Sequence, residues 1–429
     1  MVTKHKMKNT EIGFIPEDWD ICSIDNEFTF IKSNSLSREQ LNYAHGSVAN
    51  IHYGDILTKF GENIDIKRTQ LPLINHSAEF TPSPKDILKT GDIILADTAE
   101  DETAGKACEV IGITNESIVA GLHTIAMRPK QIHFAPGYLG YTLNASYYHD
   151  QLRPLMQGTK VISISKKALQ ETCIIYPRDI NEQRAIVNAL TDIDTIIARL
   201  KEAIEKKKQI KEGAMQRLLT GKVRLKGYTD KWISAPLKDL GHLNKISIDP
   251  QQYPDTYFVE YSMPAYDNDR QPERKLGSEM NSNRTIIDGT CLLINKLNVR
   301  QQRIWLVNQC EENSVCSSEF LPFKSDTCDL AFIGHVMRST KTTSDLIDMS
   351  TGTSNSQRRV APKDLMAYSI TIPASKEEQH EIAKILTTMD SEISALKAER
   401  DKYISIKQGM MQKLLTGQIR LPQSCLKEE

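Results

Sequence analysis

The segment NKLNVRQQR, Asn295 to Arg303, and the segment GTSNSQRR, Gly352 to Arg359, concentrate side chains that can hydrogen-bond to the edges of nucleic-acid bases. Arginine and lysine suit the acceptors of guanine, and asparagine and glutamine suit adenine. Such contacts carry sequence information, whereas contacts to phosphate mainly fix register. The candidate readers are Asn295, Lys296, Asn298, Arg300, Gln301 and Arg303 in the first segment and Ser354, Asn355, Gln357, Arg358 and Arg359 in the second. Earlier in the chain, DILTKFGENIDIKRTQ offers Lys59, Lys67 and Arg68, and the turn at Gly158 is followed by Thr159 and Lys160. The plain alternative at each place is a polar surface loop.

A different chemistry could be written in DTAEDETAGK, Asp97 to Lys106, where carboxylates lie close to a lysine. Metal-assisted phosphodiester hydrolysis needs carboxylates fixed on rigid elements, and nothing in the sequence fixes these. The loop follows the strand-like run after Gly91, so it is also a candidate DNA-facing loop with Lys106 as its contact. His123, in AGLHTIAMRP, reads as a core or hydrogen-bonded histidine. The eight cysteines are scattered without a C-x-x-C pair, which reads as reduced thiols and no structural zinc site. No G-x-x-x-x-G-K-[ST] loop is present for ATP, and neither a clasp for a flipped adenine nor a glycine-rich turn for a methyl donor is visible.

Whatever these residues do, they need elements to hold them, and the sequence supplies the same element twice. QRLLTGKVRL at Gln216–Leu225 returns as QKLLTGQIRL at Gln412–Leu421, 196 positions later. At that offset Glu182 matches Glu378, Gln183 matches Gln379, and the apolar series Ile186, Leu190, Ile193, Ile197, Leu200 matches Ile382, Leu386, Met389, Ile393, Leu396. Steps of four and three make this series the seam of a heptad coiled coil. Each copy predicts a helix of about 40 residues, about 60 Å long at 1.5 Å per residue, ending at a Leu-Leu-Thr-Gly cap. Alone, each would expose its seam, so the two are expected to pack together. Ile196, Met215 and Leu219, with their counterparts Glu392, Met411 and Leu415, fall off the seam and suggest a protein interface, with packing on their own globules as the competing account.

Fainter echoes lie outside the helices. TGDIILAD (Thr90–Asp97) resembles DGTCLLIN (Asp288–Asn295), and Trp19 and Trp232 each open a half. Strand-like runs are expected at 93–96, 118–127, 173–176, 292–295 and 370–372, and a helix at 136–155. The chain divides as residues 1–178, first globule; 179–226, central helical spacer; 227–374, second globule; 375–421, C-terminal helical spacer; and 422–429, tail. The fold class is α+β, two globules joined by a pair of long antiparallel coiled-coil helices with internal pseudo-twofold symmetry.

Composition limits the functional classes. The 429 residues carry a formal net charge of -1, with 39% hydrophobic and 25% charged side chains, an ordinary globular balance that excludes a uniformly basic nucleic-acid coat. Local asymmetry remains: Arg199 to Lys226 holds ten Lys/Arg against three Glu. Within it Lys206, Lys207 and Lys208 are either phosphate contacts or a solvated helix face. The N-terminal stretch lacks an apolar signal core and no run is long enough to span a bilayer, so a cytoplasmic location is expected.

The pattern IPEDW near the start, NEQRAIVNALTDIDTIIARLKEAIEKKKQIKEGAMQRLLTGKVRL in the middle and KEEQHEIAKILTTMDSEISALKAERDKYISIKQGMMQKLLTGQIRL at the end resembles the specificity (S) subunits of Type I restriction-modification systems. The resemblance implies two target recognition domains and two helical spacers, and a subunit without catalytic groups. Two methyltransferase (M) subunits would bring S-adenosylmethionine and methylate adenine N6. Restriction (R) subunits that use ATP and Mg can join, and neither a cofactor nor a metal is expected in this chain. Two unlike readers at a fixed spacing would bind a bipartite double-stranded DNA site, with target adenines about one turn, roughly 34 Å, apart. The rivals are a coiled-coil adaptor without a DNA role and a metal-dependent nuclease built on the Asp97–Lys106 loop.

Overall fold

The computed structural model describes residues 6–421 apart from 79, 132, 133 and 355. The chain forms two compact units, one of Met1–Arg199 with Glu399–Glu429 and the other of Leu200–Ala398. The expected division set the helices apart as spacers, whereas here each long helix, Ile180–Leu218 and Lys376–Leu414, gives one part to each unit. The reason is packing: the apolar stripe at the start of either helix is covered by the end of the other and by a globule.

In the first unit a five-stranded sheet runs in the order Phe28–Ile31, Thr124–Pro129, Ile93–Ala96, Ala107–Ile111, Asn63–Asp65. Ile93–Ala96 is buried at every residue, which is why its run is continuously apolar rather than alternating. A second sheet of four strands contains the parallel pair Val48–Ile51 and Ser117–Ala120. The expected run over 118–127 is divided between the two sheets, because the backbone turns at His123, left-handed at φ 52°. The helix expected over 136–155 is likewise broken into Tyr138–Thr142, Ser146–Leu152 and a 3-10 turn. Between them the Asn144 amide grips the backbone N–H and C=O of Ala107, taking the chain out of helical register.

The second unit repeats the plan with other lengths. A four-stranded sheet contains Cys291–Asn295 between Ile304–Val307 and Phe320–Lys324, and a five-stranded sheet contains the parallel pair Tyr257–Tyr261 and Ser314–Ser317. Each globule closes with an antiparallel pair beside its helix: Trp19–Ser23 with Cys173–Pro177 and Trp232–Pro236 with Ser369–Pro373.

Among the seam residues, Ile186 and Leu190 are buried with Met411, Leu414 and Leu415 in the first unit. Ile382 and Leu386 are buried with Met215, Leu218 and Leu219 in the second. Ile193, Ile197 and Ile393 are buried, and Leu200, Met389 and Leu396 half-buried. Met215, Leu219, Met411 and Leu415 are thus core residues and not an open interface. A two-helix seam accounts for only one stripe, and here the globule covers a second. Both helices end as expected at a left-handed glycine, Gly221 (φ 69°) and Gly417 (φ 68°). Each glycine lies against a tryptophan ring, Trp232 and Trp19 respectively, 3.2 and 3.4 Å from where a Cβ would stand.

Candidate nucleic-acid interface

The frame that holds the loops is built from the same clamps in each unit, with the two helices exchanging roles. In the first unit Arg420 donates from Nε at 2.6 Å and from Nη2 to the buried Glu182 carboxylate. Lys407 lies 2.6 Å from Asp194. In the second, Arg224 donates to the buried Glu378 at 2.7 and 2.8 Å, and Lys211 pairs with Asp390. These partners match at the offset of 196 in both directions. In each unit the pairing order runs forward along one helix and backward along the other, so the two segments are antiparallel. Gln183 and Gln379 complete the frame. Their amides donate to Pro177 O and Pro373 O, and their carbonyls accept from the Ala135 and Asp329 N–H groups.

On the second globule the structure brings both reader segments together. Asn298 N–H donates to Arg358 O at 2.8 Å and Val360 N–H to Lys296 O at 3.0 Å, zipping the loop after Cys291–Asn295 to the Ser354–Arg359 turn. Asn295 is buried and spends its amide on Leu297, shaping the loop from within. Arg303 forms two hydrogen bonds with Asp267, at 2.8 and 2.6 Å. Arg358 donates to Ser350 O, and Arg359 pairs with Glu319. Lys296 is half-buried, Ser354 bonds Ser356, Gln357 is exposed, and Asn355 lies outside the described residues. Arg300 and Gln301 remain exposed, with no side-chain partner among the described residues. They sit on a 3-10 turn bracketed by left-handed Asn298 (φ 50°) and Gln302 (φ 49°). Asp269 and Arg270 are also left-handed, and Arg270 lies over the Tyr266 ring, whose hydroxyl donates to Gln302 O at 3.4 Å. Non-glycine residues in this conformation cost about 1 kcal/mol or more each and gather where function demands a set shape.

The first globule answers the same plan with different chemistry. The Lys106 ammonium donates to Leu57 O and Phe60 O at the end of the short helix Tyr53–Thr58. Lys106 stands immediately before the strand Ala107–Ile111, as Arg303 does before Ile304–Val307. Each reaches the end of the short helix that follows the parallel-paired strand, Arg303 through Asp267 of Met263–Asp267. The acidic loop 97–106 is therefore the counterpart of the Arg/Gln loop 296–303, an equivalence hidden by unrelated sequences and lengths. Asp97 accepts from Thr98, Asp101 from Thr103, and Glu102 pairs with Arg153, so these carboxylates turn to local partners. Among the described residues no group of His, Cys, Asp and Glu is placed to hold a metal. His123 is half-exposed, 3.4 Å from Asp97 and edge-on to Tyr53.

Lys59 meets one exposed side chain that the sequence did not single out, Tyr43, while Lys67 and Arg68 are exposed on the turn after Asp65. Lys59 Nζ donates to the Tyr43 hydroxyl at 2.7 Å, and Gln70, next to the Lys67–Arg68 turn, donates to Tyr43 O. Thr159 and Lys160 are exposed on a separate tight turn closed by Gln157 and Ser163. On the helices, Lys207 pairs with Glu392 and Lys208 with Glu205, while Lys206 is exposed. Among the described residues no helix is long and apolar enough to cross a membrane.

Residues 17–211 and 229–405 each match the family model described as the Type I restriction modification DNA specificity domain. A curated relative from Methanocaldococcus jannaschii, named "Putative type I restriction enzyme MjaX specificity subunit", is 23% identical over 97% of this chain and 97% of its own. The type I restriction enzyme MjaVIII specificity subunit of the same organism is 27% identical over 52% of this chain and 51% of its own. Among solved structures, the Type-I restriction-modification system S subunit from M. genitalium shares the fold with a TM-score of 0.56 and 14% identity, covering 96% of this chain and 99% of that one.

Proposed function

The chain belongs to the Type I restriction modification DNA specificity domain family, and on that premise we propose that it reads a bipartite double-stranded DNA site, one globule to each half. In this reading it has no catalytic group of its own and positions methyltransferase subunits, which supply S-adenosylmethionine chemistry; restriction subunits, which supply ATP-driven steps with Mg, can join. The observation that carries the reading is the contrast between frame and loops. Both units use the same Arg–Glu, Lys–Asp and Gln–backbone clamps, while the equivalent loops they hold, 97–106 and 296–303, share neither sequence nor charge. A protein that needed two identical surfaces would have kept the loops alike, whereas reading two different DNA words requires them to differ.

The methyltransferase subunits need a surface that occurs twice. Ile210 and Val223 are 50% and 45% exposed, and their counterparts Ile406 and Ile419 are 38% and 39% exposed. Large apolar side chains left open at the same offset in both copies fit two docking events of one kind.

The test is co-expression with the cognate methyltransferase and mapping of N6-methyladenine by long-read sequencing. A split motif with a constant gap is expected. A DNA-independent adaptor would give no motif, and a nuclease would degrade plasmid when the pure chain is incubated with magnesium.

A further inference from the structure

On the first globule three exposed side chains, Arg38, Tyr43 and Lys59, gather at one buried carboxylate. Asp55, on the short helix Tyr53–Thr58, has a side chain only 2% exposed, and it pairs with two cations from different segments: Arg38 and, at 2.9 Å, Lys59. Those cations stay open to solvent, 45% and 48% exposed. Between them stands Tyr43, itself 43% exposed. Its ring centroid lies 5.8 Å from the Arg38 guanidinium and 5.1 Å from the Lys59 ammonium. Its hydroxyl oxygen accepts from both, at 3.1 and 2.7 Å. With the oxygen's lone pairs so engaged, the hydroxyl proton is left as a donor, and no acceptor for it is found among the described residues. The loop is stiff. Asn42 accepts from the N–H groups of Ala44 and His45 and donates to His45 O, and the Gln40 side chain caps Ser37 N–H.

Three donors fixed side by side, the Arg38 guanidinium, the Lys59 ammonium and the Tyr43 hydroxyl, fit a partner that offers acceptors. On DNA such acceptors include the phosphate oxygens, the minor-groove edge of an A·T pair and the O6/N7 edge of guanine, the last being the usual mate of Arg and Lys in the major groove. A phosphate contact does not require long side chains to be held still, and Lys67 and Arg68, exposed on the turn after Asp65, suit such a contact. Arg38 and Lys59 are instead fixed by a buried carboxylate and an aromatic oxygen, so little side-chain entropy remains to be lost on contact. Building on the DNA-reading function, we propose that Arg38, Tyr43 and Lys59 are specificity-determining residues of the first globule that recognise a guanine in one half of the target, with Asp55 as their positioning residue.

The experiment is the complex with its methyltransferase subunits, comparing the wild-type chain with Tyr43→Phe and Lys59→Met by N6-methyladenine mapping and by methylation rates on duplexes of varied sequence. Tyr43→Phe keeps the ring and removes the oxygen that both cations share, and thermal melting checks that the fold is intact. The expected result is a loss of about tenfold or more in discrimination at one guanine position of one half-site, with the other half-site unchanged, since one good base contact is worth roughly 1–3 kcal/mol. An unchanged motif at unchanged rate overturns the proposal. A uniform fall in rate across all sequences, together with a shallower salt dependence, also overturns it in favour of a phosphate contact. A wild-type complex that yields no split motif would instead defeat the DNA-reading function on which the proposal rests.

Discussion

Arg420 closes on the buried carboxylate of Glu182, 238 positions earlier in the chain, and the same pairing recurs between Arg224 and Glu378. A buried acid deprived of its guanidinium partner retains its desolvation cost without compensation. Arg420→Met is expected to destabilise the first unit by about 3–5 kcal/mol, seen as a lower urea midpoint. The double variant Arg420→Met, Glu182→Gln should recover a large part of that loss. If the single variant melted like the wild type, this clamp would not hold the frame together.

Arg300 and Gln301, like Gln357, are candidate readers on the second globule that are exposed and have no side-chain partner among the described residues. Alanine at either position is expected to weaken discrimination at a base of one half-site by roughly 1–3 kcal/mol, with little change in thermal stability. Arg303→Ala should act differently. Its guanidinium holds Asp267, so both melting temperature and activity should fall. Calorimetry alongside methylation assays distinguishes the two patterns.

His335, on the helix Leu330–Met337, is 1% exposed, its Nε2 3.1 Å from the Thr387 hydroxyl of the helix Lys376–Leu414 and its Nδ1 without a partner among the described residues. Burial pushes its pKa down to about 4 from 6.5, with Arg338 nearby adding to the effect. The folded state therefore binds this proton less readily than the unfolded chain. Its contribution is fully present above about pH 6.5 and is lost as pH falls from there to about 4, a change of roughly 3 kcal/mol at 1.36 kcal/mol per unit. Denaturation curves between pH 4 and 7 should show this slope, and His335→Gln should flatten it.

Charge placed on the repeated apolar positions should interrupt docking one partner at a time. Ile210→Lys with Val223→Lys, or Ile406→Lys with Ile419→Lys, is expected to leave the fold intact and reduce the methyltransferase content of the complex from two subunits to one. Mass photometry of the assembled complex reads the stoichiometry directly. Full assembly with all four positions charged would remove these residues from the docking surface.

Much of the frame could be read before the structure, because a register of 196 repeated without a gap leaves few ways to arrange Glu182, Gln183 and their counterparts. The glycine caps were legible for the same reason. The role of Lys106 was not: nothing in a linear spacing says that the last cation of a loop folds back on a helix about fifty residues upstream. Asn295 and Arg303 have the side-chain types of base readers, but a loop needs internal struts of the same chemistry, and types alone cannot tell strut from reader. Arg38 and Tyr43 escaped notice because they meet Lys59 only in the folded chain, Arg38 through the shared Asp55, a carboxylate whose importance comes from burial, and Tyr43 through its own hydroxyl. The broken helix after Gly137 depends on the Asn144 side chain finding a strand edge, which is a tertiary event.

The two units differ in one further respect, the order in which their parts leave the ribosome. The second is contiguous, Leu200–Ala398, and every clamp within it is available once that stretch has emerged. The first waits for Lys407, Met411 and Arg420, all made after the second unit, before Ile186 and Leu190 can be covered. The nascent chain should therefore complete its second reader first and carry an unfinished, sticky first reader until Arg420 has emerged.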